Sequence, residues 1–389
     1  MSDNNNINVA LTLDQNYVVP IAVLMTSILE NLSKDYSITF YMFVSGFTDK
    51  DRSTIEEIKK VRDFEVVYFE MEKYTHLFEE VNVDTFRNQY INIVCYYRLL
   101  LFKMLPENVK KIFYIDGDMI VDTDLSEIYQ TVDGMLASLV VEVIAMTYRD
   151  SGLKHLYGYE EYSNFVKNPN LYPYYNAGFE LLNIEMAREL KLWEKAWEFF
   201  HNHPNPPYAD QDIINAIIGQ ANREKVYILG PEYNVFCTND INHEYGHDNA
   251  YYPRIATVDA YSNPKILHYA GPDKPWLNSR GFYYDIWWDY ALRTPIKDEI
   301  ILMAKNSIKK ITSKMDTNNH TENNGNSMCW SRRQCVFTFA YITLTNKPGV
   351  RQEYEKYLTT LPPQRPGLIG SLLRYQRKIL KLLILNLQK

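Results

Sequence analysis

Residues Lys110–Val121 read KKIFYIDGDMIV. Four apolar residues, Ile112–Ile115, run into Asp116-Gly117-Asp118, and the chain then turns apolar again. A short continuous apolar run of this kind is the pattern of a strand buried on both faces, as in a parallel sheet covered by helices. In such sheets ligands sit beyond the carboxyl ends of the strands. Two like charges there are costly unless a cation answers them. Residues i and i+2 of an extended chain share a face, so both carboxylates can aim at one ion. Gly117 permits close approach of backbone and ligand. Hard oxygen ligands suit Mg²⁺ or Mn²⁺ when phosphate oxygens complete the shell. Asp-Gly is also a turn signal, so the stretch alone leaves a polar turn between strands open.

The flanking sequence supplies the rest of an α/β pattern. Asn8–Leu13, Ser37–Val44 and Phe64–Phe69 read as strands. Between them, Tyr17–Asn31 reads as a helix with Pro20 in its first turn, and Ser53–Asp63 as a charged helix with a capping box from Ser53 and Glu56. This alternation predicts parallel strands with helical crossovers. Beyond it, Ile93–Met104 reads as a helix, Leu139–Ile144 as a strand and Gly178–Ile184 as a strand. Leu190–Phe200 and Asp210–Ile218 read as helices and Lys265–Tyr269 as a late strand. The Asn-rich stretch 316–328 reads as a linker, which gives a catalytic domain over 1–315 and a C-terminal extension over 329–389.

The net charge of −7 excludes a nucleic-acid binder by overall electrostatics. Four cysteines without a CxxC pair fit a reducing compartment, and the N-terminus shows no secretory signal pattern. No apolar run reaches the ~18 residues of a spanning helix. From Leu361 onward there are no acidic residues, whereas Arg365, Arg374, Arg377, Lys378, Lys381 and Lys389 are basic. Leucines and isoleucines alternate with these cations at helical spacing, so the tail predicts an amphipathic helix on an anionic membrane surface. The bland alternative is a helix packed on the catalytic body.

Several residues could serve the carboxylate pair. No glycine precedes Gly46 and no lysine or arginine precedes Lys34, so the first strand carries no phosphate-cradling loop. His268 ends the run KILHYAG, and an imidazole joined to two carboxylates favours Mn²⁺ over Mg²⁺. Lys274 can answer phosphate charge, although a solvated lysine beside Pro275 is the plainer reading. Asn176-Ala177-Gly178 and Asp210-Gln211-Asp212 stand at the starts of a strand and a helix. They suit hydrogen bonds to sugar hydroxyls, but acids at a helix start also serve as caps. Arg98, in the apolar run CYYRLLLF, must find a partner or reach a site edge.

In order along the chain stand VALTLDQNYVVPIAVLMTSILEN, YYRLLL, FYIDGDMIV, YYNAGFELLN, ADQDIINA and ILHYAGPDKPW. With these motifs, spread over Asn8–Trp276, the chain resembles family 8 glycosyltransferases, retaining enzymes of the GT-A fold. Bacterial lipopolysaccharide galactosyl- and glucosyltransferases look most similar, and glycogenin more distantly so. The resemblance implies an α/β fold with a Rossmann-like mixed sheet flanked by helices. It implies a hexose, galactose or glucose, moved from a UDP-sugar to a lipopolysaccharide, lipooligosaccharide or other glycan or glycolipid acceptor. Ala10, Asp14 and Asn16, with Leu11 and Thr12, would hold the uridine and ribose. Asp116, Asp118 and His268 would bind Mn²⁺ at the diphosphate, with Mg²⁺ as the substitute, and Gly271 and Lys274 would contact the phosphates. Arg98, Asn176, Ala177, Gly178, Asp210 and Gln211 would line the donor sugar. Gln211 would lie nearest the reacting carbon, and its amide is a poor nucleophile, which favours front-face attack. Asp210 and Asp116 complete the implied catalytic set.

Relatives usually carry an aspartate at the strand after the metal motif, whereas this chain has Glu142. Members acting on lipid-linked acceptors often carry basic C-terminal regions, which would place this enzyme in the cytoplasm, peripheral on the inner face of the cell membrane. Two rival readings differ in class. A sugar nucleotidyltransferase would want an early basic, glycine-rich loop that this chain lacks. A self-glycosylating scaffold would need an acceptor side chain in reach.

Overall fold

The computed structural model describes residues 5–81, 93–141, 174–203, 206, 208–220, 222–237, 259–260, 262–271, 274–277 and 283–304. By internal contacts the chain divides after Asn323, and every described residue precedes that point. The linker, the C-terminal extension with its basic tail, and Glu142 lie outside the described residues.

Among the described residues, ten strands form two sheets. The larger contains β1 (Asn6–Asp14), β2 (Ser37–Ser45), β3 (Glu65–Glu70), β4 (Lys111–Ile115), β6 (Ala137–Val141), β7 (Tyr175–Asn183) and β8 (Val226–Leu229). Its order is β3-β2-β1-β4-β7-β6-β8. The smaller contains β5 (Met119–Val121), β9 (Val235–Phe236) and β10 (Ile266–His268), in the order β5-β10-β9. Strands β3, β2, β1 and β4 are parallel, and β7 runs antiparallel between β4 and β6. The mixed α/β architecture is therefore the one the motifs imply.

Burial follows position in the sheet. β4 lies at its centre, and Ile112 through Ile115 are buried. β3 lies at the edge, where its terminal Glu65 and Glu70 discourage pairing with another chain. The helix Val18–Asn31 is buried along most of its length and ties the two sheets together. Ser27 Oγ accepts the Val121 N–H at 3.0 Å, and Asn31 Nδ2 donates to Val121 O at 3.0 Å. This small polar pair satisfies the outer edge of β5 inside an otherwise apolar packing.

Two local expectations are corrected. The second helix begins at Asp49, capped reciprocally by Thr48 and Asp51, and Ser53 Oγ instead donates to Asp49 O within the helix. Thr48 and Asp51 satisfy the same capping-box spacing one turn earlier. The segment expected as a helix over Ile93–Met104 is a 3₁₀ helix over Ile93–Leu100, with one α turn over Leu101–Met104. Buried Arg98 sits in the tighter part.

β1 and β4 point the same way, with Ala10 opposite Tyr114. Asp14, the last residue of β1, and Asp116, the first after β4, therefore emerge at the same end of the sheet. β7 runs the other way, so its start, Tyr175–Gly178, meets the end of β4, and the Asp116 N–H donates to Gly178 O at 2.8 Å. β10 pairs with β5 so that His268 lies opposite Met119, and Tyr269 N–H donates to Asp118 O at 2.9 Å. Four chain segments thus converge on Asp116-Gly117-Asp118.

Candidate active site

The site starts from an irregularity in β7. Leu139 and Val140 are neighbours in β6, yet they pair with Glu180 and Asn176. Ala177, Gly178 and Phe179 therefore bow away from β6, and their amides are freed from that ladder. The Ala177 N–H donates to Gln211 Oε1 at 3.1 Å, and the Gly178 N–H donates to Asn176 Oδ1 at 3.0 Å. Gly178 is required by space: a Cβ there would lie 2.7 Å from His268 Cε1 and from Met119 Cε. Gly271, in the left-handed region at φ +81°, turns the chain after β10, and Lys274 then folds back onto Asp118. The missing Cβ of Gly117 faces Ile21 and Tyr17 of the first helical segment, each 3.1 Å away.

Asp116, Asp118 and His268 offer ligand atoms within 4.8 Å of one another. His268 Nε2 lies 3.3 Å from Asp118 Oδ1 and 3.8 Å from Asp116 Oδ2. Two hard carboxylates from one chain segment and an imidazole from a second fit Mn²⁺ or a similar divalent ion. Lys274 is buried, not a solvated lysine; it donates to Asp118 Oδ2 and, at 2.7 Å, to Tyr269 O. Burial pushes the Asp118 carboxyl up, but Lys274 and His268 outweigh it and hold the group below the ordinary carboxylate range.

Arg98 organises the other side. Its Nη2 donates to Asp116 Oδ1 at 2.8 Å, and its Nη1 donates to Ala177 O. Its Nε lies 2.6 Å from Asp210 Oδ2, yet neither atom is aligned for a hydrogen bond, so that contact is an ion pair only. Glu180 Oε1 is 3.7 Å from Nη1, and the guanidinium lies over the Tyr114 ring at 3.8 Å. One cation thus serves three carboxyls. Burial raises Glu180 to about 8 and Asp210 to about 7, with Arg98 opposing and the neighbouring acids reinforcing the shift.

The remaining residues sort by position. Ala10 and Leu11 are buried in β1 and offer backbone groups only. Thr12 Oγ1 and Tyr114 OH share a hydrogen bond of 2.8 Å. Asp14 Oδ1 caps the next turn by accepting the Asn16 N–H at 2.8 Å, and Asn16 is exposed at the sheet edge. Asp210 is not an exposed cap; its carboxyl turns inward to Arg98. Gln211 Oε1 also accepts from Asn176 Nδ2 at 2.9 Å, and its Nε2 donates to Tyr174 OH at 3.2 Å.

Four site residues were not singled out from the sequence. Tyr114 looked like core, Tyr174 opened the motif YYNAGFELLN without a role of its own, and Asn234 stood in PEYNVF, which carried no reading. Glu180 had one usable signal: a lone acid inside the apolar strand GFELLN must find a partner.

Comparison with known proteins bears on the family and the fold. The chain is 23% identical to the lipopolysaccharide 1,2-glucosyltransferase of Escherichia coli (strain K12) over 278 residues, 69% of this chain and 72% of that protein. Its fold is similar to the WbbM bifunctional glycosyltransferase, with a TM-score of 0.63 at 19% identity, covering 78% of this chain and 52% of that one. It is also similar to the galactosyltransferase LgtC in complex with donor and acceptor sugar analogues, with a TM-score of 0.57 at 19% identity, covering 74% of this chain and 96% of that one. Residues 8–280 match glycosyl transferase family 8. With the match spanning the sheet, the Asp116–Asp118 pair and His268, the chain belongs to glycosyl transferase family 8.

Proposed function

We propose that this glycosyltransferase moves a galactose or glucose from a UDP-sugar to a lipopolysaccharide-type or other glycan acceptor, with retention and dependence on Mn²⁺. The observation that carries the reading is the cluster of Asp116, Asp118 and His268 beside buried Lys274. Asp116 and Asp118 supply negative charge for a dication, and His268 tilts the set toward Mn²⁺. When bound, that ion supplies Lewis-acid stabilisation to the departing diphosphate. Lys274 adds the chain's own positive charge at the phosphate end, so no enzyme acid need protonate the leaving group. Arg98 holds Asp116 in place and buries its other acids, so the sugar meets a preset polar wall. Gln211, held by the Ala177 N–H, presents an amide and not a carboxylate at the implied reacting carbon. On that geometry the acceptor hydroxyl attacks from the side the diphosphate leaves, and its proton departs with the diphosphate.

UDP release from UDP-Gal, UDP-Glc, UDP-GlcNAc and UDP-GalNAc tests the reading. One hexose donor is expected to be consumed at least about tenfold faster with Mn²⁺ than with EDTA. Release that ignores EDTA would overturn the metal assignment, and no release from any UDP-sugar would overturn the donor.

The basic tail supports a peripheral location on the inner face of the cell membrane. Among the described residues no helix is long and apolar enough to cross a membrane. Deleting Pro366–Lys389 is expected to abolish binding to anionic phospholipid vesicles while UDP-sugar hydrolysis persists. Unchanged vesicle binding would sink the location.

A further inference from the structure

His268 does not stand alone behind the two carboxylates. Its Nδ1 lies 2.9 Å from Asn234 Oδ1, and Asn234 Nδ2 donates to Asn176 Oδ1 at 2.7 Å. Asn176 Nδ2 donates in turn to Gln211 Oε1, whose own Nε2 reaches Tyr174 OH. Tyr174 OH ends the chain on Asp212 Oδ1 at 2.6 Å. An amide side chain presents an oxygen at one end and NH₂ at the other, so each link has two orientations. Here the orientations are not free. The Gly178 N–H can only face an oxygen, which sets Asn176; the Ala177 N–H does the same for Gln211.

Polarity then runs one way. With Asn176 Oδ1 turned to Gly178 N–H, the atom of Asn234 that meets it must be the NH₂. Asn234 therefore shows its oxygen to the imidazole, and Nδ1 must carry the proton. Nε2, which faces Asp116 and Asp118, is the ring atom left to ligate a cation. Asn234, Asn176 and His268 are all buried, so water does not compete at these links.

We propose that Asn234 is a positioning residue that transmits the direction of the freed Gly178 and Ala177 amides to His268, fixing the imidazole tautomer with Nε2 as the metal-binding atom. The inference rests on the metal reading above. Its chemistry is that of an outer-shell partner, which fixes a ligand's tautomer and ring orientation without touching the ion. The irregularity in β7 thereby acquires a purpose beyond exposing backbone to a sugar: it sets the hydrogen-bond polarity of the metal site.

The test uses the full chain with Mn²⁺ and UDP. Pulsed EPR of wild type is expected to show the coupling of a directly bonded imidazole nitrogen. Asn234→Leu, which keeps the volume and removes the acceptor, is expected to lose that coupling and about 10–100-fold in Mn²⁺ affinity. Asn234→Asp, which still accepts from Nδ1–H although it no longer donates to Asn176 Oδ1, is expected to retain the coupling. An Asn234→Leu variant with the coupling intact and affinity within about twofold of wild type would overturn the inference. So would an Asn234→Asp variant that loses the coupling as fully as the leucine variant, because an acceptor at Nδ1–H would then not set the tautomer. A measurement free of variants is nitrogen NMR of wild-type His268 with Mg²⁺ and UDP: a proton on Nδ1 alone supports the inference, and a proton on Nε2 overturns it. Wild type that binds no Mn²⁺ would overturn the metal reading and this inference together, whereas binding that ignores Asn234 overturns only the latter.

Discussion

Asp118→Asn should cost sugar transfer at least ~10³-fold while the chain still folds. The substitution removes one of two carboxylates that face a common point with His268. A Lewis acid at a departing diphosphate contributes several kcal/mol, and each ~1.4 kcal/mol is a factor of ten in rate. Losing about 4 kcal/mol of that stabilisation gives the stated loss. Asp118 also answers buried Lys274, and removing one partner of a buried pair typically costs ~3–5 kcal/mol of stability. The sign of the pH effect follows from the direction of the shift. Because Asp118 is held below its ordinary value of 3.8, its contribution is present at neutral pH and is lost only as pH falls below that value. The stability gap between variant and wild type should therefore close in acid. Adding Lys274→Met to Asp118→Asn should restore stability but not transfer. Urea unfolding and a transfer assay on the same preparations separate the two effects, and near-normal turnover by Asp118→Asn would refute the metal assignment.

The second large effect belongs to Arg98. Arg98→Leu leaves Asp116, Glu180 and Asp210 without their shared cation in a buried place. A loss of ~3–5 kcal/mol is expected at pH 8. Glu180 and Asp210 are raised to about 8 and about 7, so across neutral pH the folded state holds protons that the unfolded chain has released. Stability contributed by these groups therefore falls as pH rises from the ordinary carboxylate range toward 8. The variant has lost the charge that opposes those shifts, so its stability should fall more steeply than that of wild type and its deficit should shrink at pH 5. Glu180→Gln and Asp210→Asn, added to Arg98→Leu, should recover most of the pH 8 deficit. Equal deficits at pH 5 and pH 8 would show that packing, not charge, explains the position.

Much of the fold was legible because its signals are local. β1, β2 and β3 with the helices between them follow from apolar runs, β-branched content and caps read over ten residues at a time. β5, β8 and β9, of four residues or fewer, were not read as strands, whereas the equally short β10 was marked by the flanking run KILHYAG. The true cap at Thr48 lost to a competing signal at Ser53 because both positions satisfy the same spacing rule. Arg98 was legible as a problem, since a buried guanidinium must be paired, but its partners were not. Asp210 looked like a helix cap, and in the folded chain Arg98 outbids that role because a buried cation attracts a carboxylate more strongly than a helix end does.

The amino-acid order by itself showed a buried strand that ends in two carboxylates, and it offered His268 and Lys274 as candidates to join and support a cation there, with a polar turn and a solvated lysine left open. It also carried the motifs of the family. Only the tertiary structure decided how the charge is divided: Arg98 takes Asp116, and Lys274, 156 positions away from its partner, takes Asp118. Only the fold joined Asn234 to Asn176 across 58 positions and turned His268 toward the carboxylates. The reason is physical. Burial and periodicity are properties of neighbours along a chain, but the direction of a hydrogen bond is set by which donor arrives at about 3 Å, and here those donors come from a strand that bows away from one of its two neighbours.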